Sequence, residues 1–221
     1  MIELPEAEFV AQVRRKLATL QQNAHAVNQI WGAAIHRFRA NSPIPEQDLA
    51  ALENEHGLVL PSDYRSFLSE VGDGGAGPWQ GLLPIREAIT ASSLDCAECL
   101  TRPFLHGTAR IDSDGVQRKW FQFRDPTGRG YVPVPLETGM SPDFMAGSLI
   151  IARGKLKRGA STLYRLVLNG PERGRVWRDD RDQSGRVGPC ESASWRIQDP
   201  TFREWMLAWI EQCELGHQFG L

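Results

Sequence analysis

The sequence predicts an α+β fold: a central, mainly antiparallel sheet flanked by helices, led in by a long N-terminal helix. Three observations predict it. The first forty residues repeat their apolar positions at steps of three and four, the period of a helix. Beyond about residue 82 the period gives way to short runs of β-branched and aromatic residues separated by Gly, Pro and Asp, the pattern of strands and turns. A helical stripe returns only at the C-terminal end.

Each element has its own signal. Phe9, Val13, Leu17, Leu20, Ala24, Val27, Trp31, Ala34 and Phe38 fall on one stripe, which predicts a helix over about 6–40 between Pro5 and Ser42-Pro43-Ile44-Pro45. The stripe suits packing on the chain's own core and equally suits pairing with a second copy, because a 3–4 repeat is a coiled-coil period. A second helix is expected over 45–56, with Leu49 and Leu52 inward, acids in the first turn and Gly57 as a left-handed stop. Pro61 opens a third, whose inward face is Tyr64, Phe67, Leu68 and Val71. Gly72-Asp73-Gly74-Gly75-Ala76-Gly77-Pro78 reads as a flexible loop.

Strands are expected at Leu82–Ile85, Trp120–Phe123, Tyr131–Val134, Leu149–Ala152, Leu163–Leu168 and Arg175–Trp177, with turn chemistry from Asn169 to Gly174. The final helix takes Asp199 as its cap and Pro200 as its first residue. It buries Phe202, Trp205, Met206 and Trp209.

Composition narrows the function. The 221 residues are 41% hydrophobic and 24% charged, values of an ordinary globular protein. No run approaches the ~18–20 apolar residues of a membrane span, and no basic-then-apolar leader is visible, so a soluble, cytoplasmic, reduced protein is expected. The net charge is −2, but residues 1–100 carry 7 Lys/Arg against 13 Asp/Glu, a balance of −6. The basic excess of a nucleic-acid binder is missing. The run Arg153-Gly154-Lys155-Leu156-Lys157-Arg158 reads as a solvated turn between strands.

The candidate motifs for chemistry are weak. Cys96 and Cys99 have knuckle spacing, but no second pair completes four zinc ligands, and the flanks lack a thioredoxin-like context. They read as two ordinary thiols. The five histidines are scattered, and no serine sits in a nucleophile elbow. The glycine loop leaves a helix rather than entering one, the wrong polarity for a phosphate cradle. Asp179, Asp180 and Asp182 crowd one segment, but Arg178 and Arg181 oppose a cation there; a solvated turn or a protein-contact loop is expected. No catalytic residue, metal or cofactor is predicted. Trp79, beside Gly77-Pro78, is the tryptophan best placed for a partner.

The order of these signals resembles a known superfamily. Gly57-x-x-Leu60-Pro61-x-Asp63-Tyr64-x-x-Phe67-Leu68, followed by Gly72 and Gly74-Gly75, is similar to the opening signature of the SUKH superfamily, which groups Smi/Knr-type cell-wall regulators with bacterial immunity proteins. Gly81-Leu82-Leu83-Pro84-Ile85 resembles its first strand. Leu166-Val167-Leu168-Asn169-Gly170-x-x-x-Gly174-x-Val176-Trp177 resembles its late hairpin. The resemblance covers roughly 43–215, so residues 1–41 are expected as a helical extension and 42–221 as the domain. Many relatives carry a Gly-Cys-Gly-like turn where this chain has Arg153–Lys157.

The resemblance implies a non-catalytic, protein-binding domain, of the kind that neutralises a bacterial toxin by covering it. The alternative is a regulatory or scaffolding module without a toxin partner, contacting through the first helix as a homodimer or by docking. The expected contact residues are Glu53, Glu55, Asp73, Trp79, Asp179 and Asp180. Neither direct nucleic-acid nor membrane binding is expected.

Overall fold

The computed structural model describes residues 5–30, 32–94, 96, 98–104, 120–124, 131–135, 141–155, 161–181, 186–192 and 197–216. Trp31, His106, Asp182, Trp195, His217 and the 156–158 part of the basic run lie outside the described residues.

The N-terminal stripe forms three helices rather than one. Helix α1 (Glu6–Gln21) ends where Asn23 starts a new helix, its side chain accepting the Ala26 N–H at 3.1 Å. α2 (Ala24–Gln29) stops before Gly32, whose φ of +85° turns the chain into the one-turn α3 (Ala33–His36). An N-cap side chain and a left-handed residue each outweigh a continuous stripe. The apolar face of α1 is used within its own chain: Phe9, Val13, Leu17 and Leu20 are buried in the main core.

α4 (Glu46–His56) buries Leu49 and Leu52 and stops at Gly57, φ +62°, as expected. α5 (Ser62–Ser66) continues as a π-turn, Phe67–Val71. The wider turn still buries Tyr64, Phe67 and Leu68. The glycine loop that follows is packed rather than loose. Gly75, φ +86°, bridges to Ala40 and Leu82, and a Cβ there would meet Arg39 O at 2.6 Å. Leu82–Ile85 is not a strand: only Leu82 makes bridge contacts, and Ile85 begins α6 (Ile85–Ser93). Pro84 presets the helical start, and the Asp73 carboxylate accepts the free Ile85 N–H at 2.6 Å.

Among the described residues, six strands form one sheet: β1 (Trp120–Arg124), β2 (Tyr131–Pro135), β3 (Ser148–Lys155), β4 (Ser161–Val167), β5 (Val176–Asp180) and β6 (Arg186–Pro189), in the order β2-β1-β6-β5-β4-β3. Every pair is antiparallel except β1 with β6. β7 (Glu191–Ser192) and β8 (Ile197–Gln198) make a separate short pair. The expected strands at 120, 131, 149, 163 and 175 are all present, and the chain is an α+β fold.

α7 (Phe202–Glu214) is capped by Thr201, not Asp199. Its hydroxyl accepts the Glu204 N–H while Glu204 reaches back to the Thr201 N–H at 2.8 Å. This reciprocal box satisfies two donors where Asp199 would satisfy one. Asp199 instead makes the left-handed turn before it, φ +49°.

Strand alternation sends Tyr164, Leu166 and Val176 to one sheet face, and Val167, Trp177 and Val187 to the other. The first face meets α7, and α1 packs on α7. Tyr164 and Trp205 are 5.4 Å apart, and Phe9 stands edge-on to Phe202 at 6.5 Å. The N-terminal helices and the sheet therefore share one core. The second face holds a smaller cluster, in which Phe104 packs edge-on to Trp177 at 4.8 Å beside Met145.

Asp63 is expected to be an expensive residue to lose. It is 8% exposed, and its carboxylate accepts N–H bonds from Tyr64 (2.8 Å) and Arg203 (3.0 Å). Asp63→Ala orphans both donors and should lower the unfolding free energy by roughly 2–4 kcal/mol in urea titration.

His36 supplies a pH test. Burial holds its imidazole down at about 4, against a smaller upward pull from the Gly77 carbonyl. Its Nδ1 accepts the Phe38 N–H at 3.0 Å, so a proton there breaks that bond. The unfolded chain, titrating near 6.5, binds more protons than the folded one between the two values. This contribution is thus complete above pH 6.5 and is lost as pH falls toward 4, by up to about 3 kcal/mol. Denaturation midpoints measured from pH 7.5 to 4 should fall, and His36→Phe should fall less steeply.

Candidate interaction surface

The expected contact residues do not form one site. On α4, Glu53 is half-buried and faces inward. Its carboxylate accepts the Leu60 N–H and Arg65 Nε, each at 2.9 Å. Arg65 also forks onto Glu46 at 2.6 and 2.9 Å. One guanidinium thereby braces both ends of the helix against α5, and it holds the Glu46 carboxyl below the ordinary range. Glu55 is exposed, with loose approaches to His56 (3.9 Å) and Arg86 (4.0 Å). Asp48, seven residues earlier on the same stripe, is also exposed. The outward face of α4 is acidic.

Asp73 holds the start of α6 and is half-buried. Burial pushes its carboxyl up, opposed by the Ile85 N–H.

Asp179 and Asp180 were expected on a solvated turn or contact loop, and the structure corrects this: both end strand β5 and are buried. Asp179 lies on the second sheet face, 3% exposed. It accepts Arg165 Nε at 2.8 Å and both Nε and Nη2 of Arg181 at 2.8 Å. Burial opposes its ionisation, yet the two guanidiniums hold its carboxyl below the usual range. Asp180 points to the other face. There it accepts the Thr162 hydroxyl at 2.6 Å and pairs with Arg178 at 2.6 Å. The alternating signs that looked like a solvated run are a strand sorting its charges between two faces.

Trp79 and Asp180 are the two expected residues that the fold brings to one sheet face. Trp79 has φ +59°, a costly conformation for a bulky residue. It is held from both sides. A Cβ on Gly32 would lie 1.5 Å from the Trp79 carbonyl oxygen, so glycine is required there. The indole stacks on Tyr164 at 6.5 Å and donates Nε1–H to its hydroxyl at 2.6 Å. It also lies against the open backbone of Gly154. Opposite Tyr164, in register on β5, stands Arg178, its side chain 46% exposed. Trp79 stays half-buried. The result is a rigid aromatic edge beside an accessible guanidinium, the residue types enriched at interface hot spots.

Sequence reading missed Tyr164 and Arg178. Their strands were legible, but Tyr164 meets Trp79 from 85 residues away in the chain, and Arg178 stands beside Tyr164 only through the β4–β5 register.

Cys96 and Cys99 are corrected from two ordinary thiols to a disulfide, Cα–Cα 5.3 Å. The turn that donates Cys99 N–H to Cys96 O at 3.1 Å brings them together. Cys190 and Cys213 are buried and take no part in a disulfide. Among the described residues no three of His, Cys, Asp and Glu converge on a metal position, and no helix is long and apolar enough to cross a membrane.

Residues 43–182 match the family model described as the SMI1/KNR4 family (SUKH-1), which is more than half of the chain. No curated protein and no solved structure matches. The matched range begins where α1–α3 end and stops before α7.

The seat of Trp79 can be tested directly. Gly32→Ala drives a Cβ into the Trp79 carbonyl at a left-handed position. It should cost roughly 2–4 kcal/mol of stability, whereas Ala34→Gly, on the exposed side of α3, should cost about 1 kcal/mol or less. Chemical denaturation of both variants checks this.

Proposed function

The chain belongs to the SMI1/KNR4 family (SUKH-1), and from that membership we propose that it acts by binding another protein, as an immunity protein that covers and neutralises a bacterial toxin. Membership carries the general reading, an immunity or protein-interaction module. The toxin partner is the narrower step. It is supported by the held-out edge of Trp79 and Arg178, since a preformed aromatic surface loses little freedom on binding.

We assign the contacts to two places. The Trp79–Arg178 edge supplies the anchor, with Tyr164 and Asp180 fixing its shape. The outward face of α4, with Asp48 and Glu55, supplies the charge. A nuclease toxin presents a basic groove to its substrate, and an acidic helix face would be drawn to it quickly. Glu53, Asp73 and Asp179 contribute by holding α4, α6 and β5 in place, because their oxygens are engaged inside the chain. The cytoplasm is the compartment in which such a protein would guard its own cell.

The alternative is a regulatory or scaffolding module that contacts through the first helix. The burial of Phe9, Val13, Leu17 and Leu20 in the chain's own core disfavours a homodimer along that stripe.

The test uses the full chain and a toxin domain identified by co-purification with it. Trp79→Ala should speed dissociation by roughly ten- to a hundred-fold with little change in association. Asp48→Lys with Glu55→Lys should slow association by roughly ten-fold at low salt and flatten its salt dependence. Surface plasmon resonance reads both rates. Wild-type rates for every variant would remove this surface from the proposal.

A further inference from the structure

Residues 98–104 cross to the second sheet face as a strap. Cys99 O accepts the Gly147 N–H at 2.6 Å. Asn169 Nδ2 donates to Leu100 O at 2.7 Å and Arg102 O at 3.2 Å, and Phe104 N–H reaches Asn169 O at 3.4 Å. Phe104 then covers Trp177. The strap's far end is thus stitched to the turn between β4 and β5, and its near end is tied by the Cys96–Cys99 bond.

The two sulfurs are not equivalent. Cys96 is half-buried and Cys99 is 4% exposed. The bond closes a sequence separation of only 3, so it constrains the unfolded chain far less than a bridge across a long loop. Its effect is local. Cys190 and Cys213 are poor competitors: both are buried, and burial pushes the Cys213 thiol up, away from the reactive thiolate.

We infer that Cys96–Cys99 is a reversible thiol–disulfide exchange site, entered at Cys96 by a low-molecular-weight thiol of the glutathione class, that ties and unties the near end of the strap. In opening, the thiolate attacks Cys96 Sγ, the Cys96–Cys99 bond breaks, and its electron pair leaves on Cys99 Sγ, which takes up a proton. A second thiolate attacks the small-molecule sulfur of the mixed disulfide. Cys96 departs as a thiolate and is protonated, and one small-molecule disulfide is released. Two thiols are oxidised as the protein gains two electrons and two protons. Closing is the reverse, with the small-molecule disulfide as oxidant. This inference does not depend on the identity of any partner.

The native full-length chain is equilibrated in glutathione buffers of graded ratio, quenched with maleimide and mapped by mass spectrometry. The expected result is a Cys96–Cys99 link, lighter by two hydrogens, in oxidising buffer and its loss in reducing buffer, without denaturant. Amide exchange at Cys99–Thr101 should quicken by roughly ten-fold on opening, with α7 unchanged. Cys99→Ser leaves the accessible Cys96 to capture glutathione. Cys96→Ser leaves only the buried Cys99 and should capture it roughly ten-fold more slowly. The two variants control for each other's folding. A link that forms at no ratio, a link that opens only in denaturant, or equal capture by the two variants overturns the inference.

Discussion

Much of the architecture hangs from one buried carboxylate. Asp63 sits where α5 and α7 begin, and each of its oxygens accepts an N–H from a different helix. Burial pushes its carboxyl up, and the two N–H bonds work against that. A buried carboxylate is tolerated only where such donors converge on it, so the position fixes both helix ends together. Tyr64, Phe67 and Phe202 then meet edge-on at 4.9 and 5.5 Å. α7 is thereby laid along the sheet, with Trp205 and Trp209 inside, and α1 closes over α7. The core of the family-matched range is thus completed by two helices that flank it in sequence.

That arrangement leaves the two sheet faces with different chemistry. The face under α7 is apolar until Tyr164 and then turns polar at Thr162, Arg178 and Asp180. Trp79 roofs this change, bonded to the Tyr164 hydroxyl. The opposite face buries Asp179 between Arg165 and Arg181, with Arg181 over the Phe144 ring at 5.7 Å. Burial pulls the Arg165 guanidinium down, and Asp179 opposes that. A buried pair of this kind costs desolvation and returns geometry: it fixes the register of β4 against β5. The surface edge inherits its rigidity from that register.

The strap of 98–104 and the loop of 72–81 serve the two faces in parallel ways. Each is an irregular segment pinned by backbone hydrogen bonds to a neighbouring segment of the chain. Each delivers one aromatic ring, Phe104 or Trp79, onto the sheet. Neither depends on its own secondary structure, which is why both look like plain loop in composition.

What the residues determined alone is what repeats locally. The inward faces of α4, α5 and α7, the stop at Gly57, five of the strands and the turn at 169–174 follow from periods of 3.6 and 2 and from turn chemistry within a few residues. The SUKH signature was legible for the same reason, being a string of such local features. Tertiary structure decided the rest. The first helix breaks at Asn23, whose side chain caps α2, and at Gly32, which must admit the Trp79 carbonyl. Leu82–Ile85 becomes a helix start because Asp73 reaches Ile85. Asp179 and Asp180 are buried because their guanidinium and hydroxyl partners stand on neighbouring strand positions, and Trp79 meets Tyr164 across 85 residues. A charge or an indole reads alike in sequence whether its partner is water or another side chain; only folding brings the distant partner within hydrogen-bonding distance.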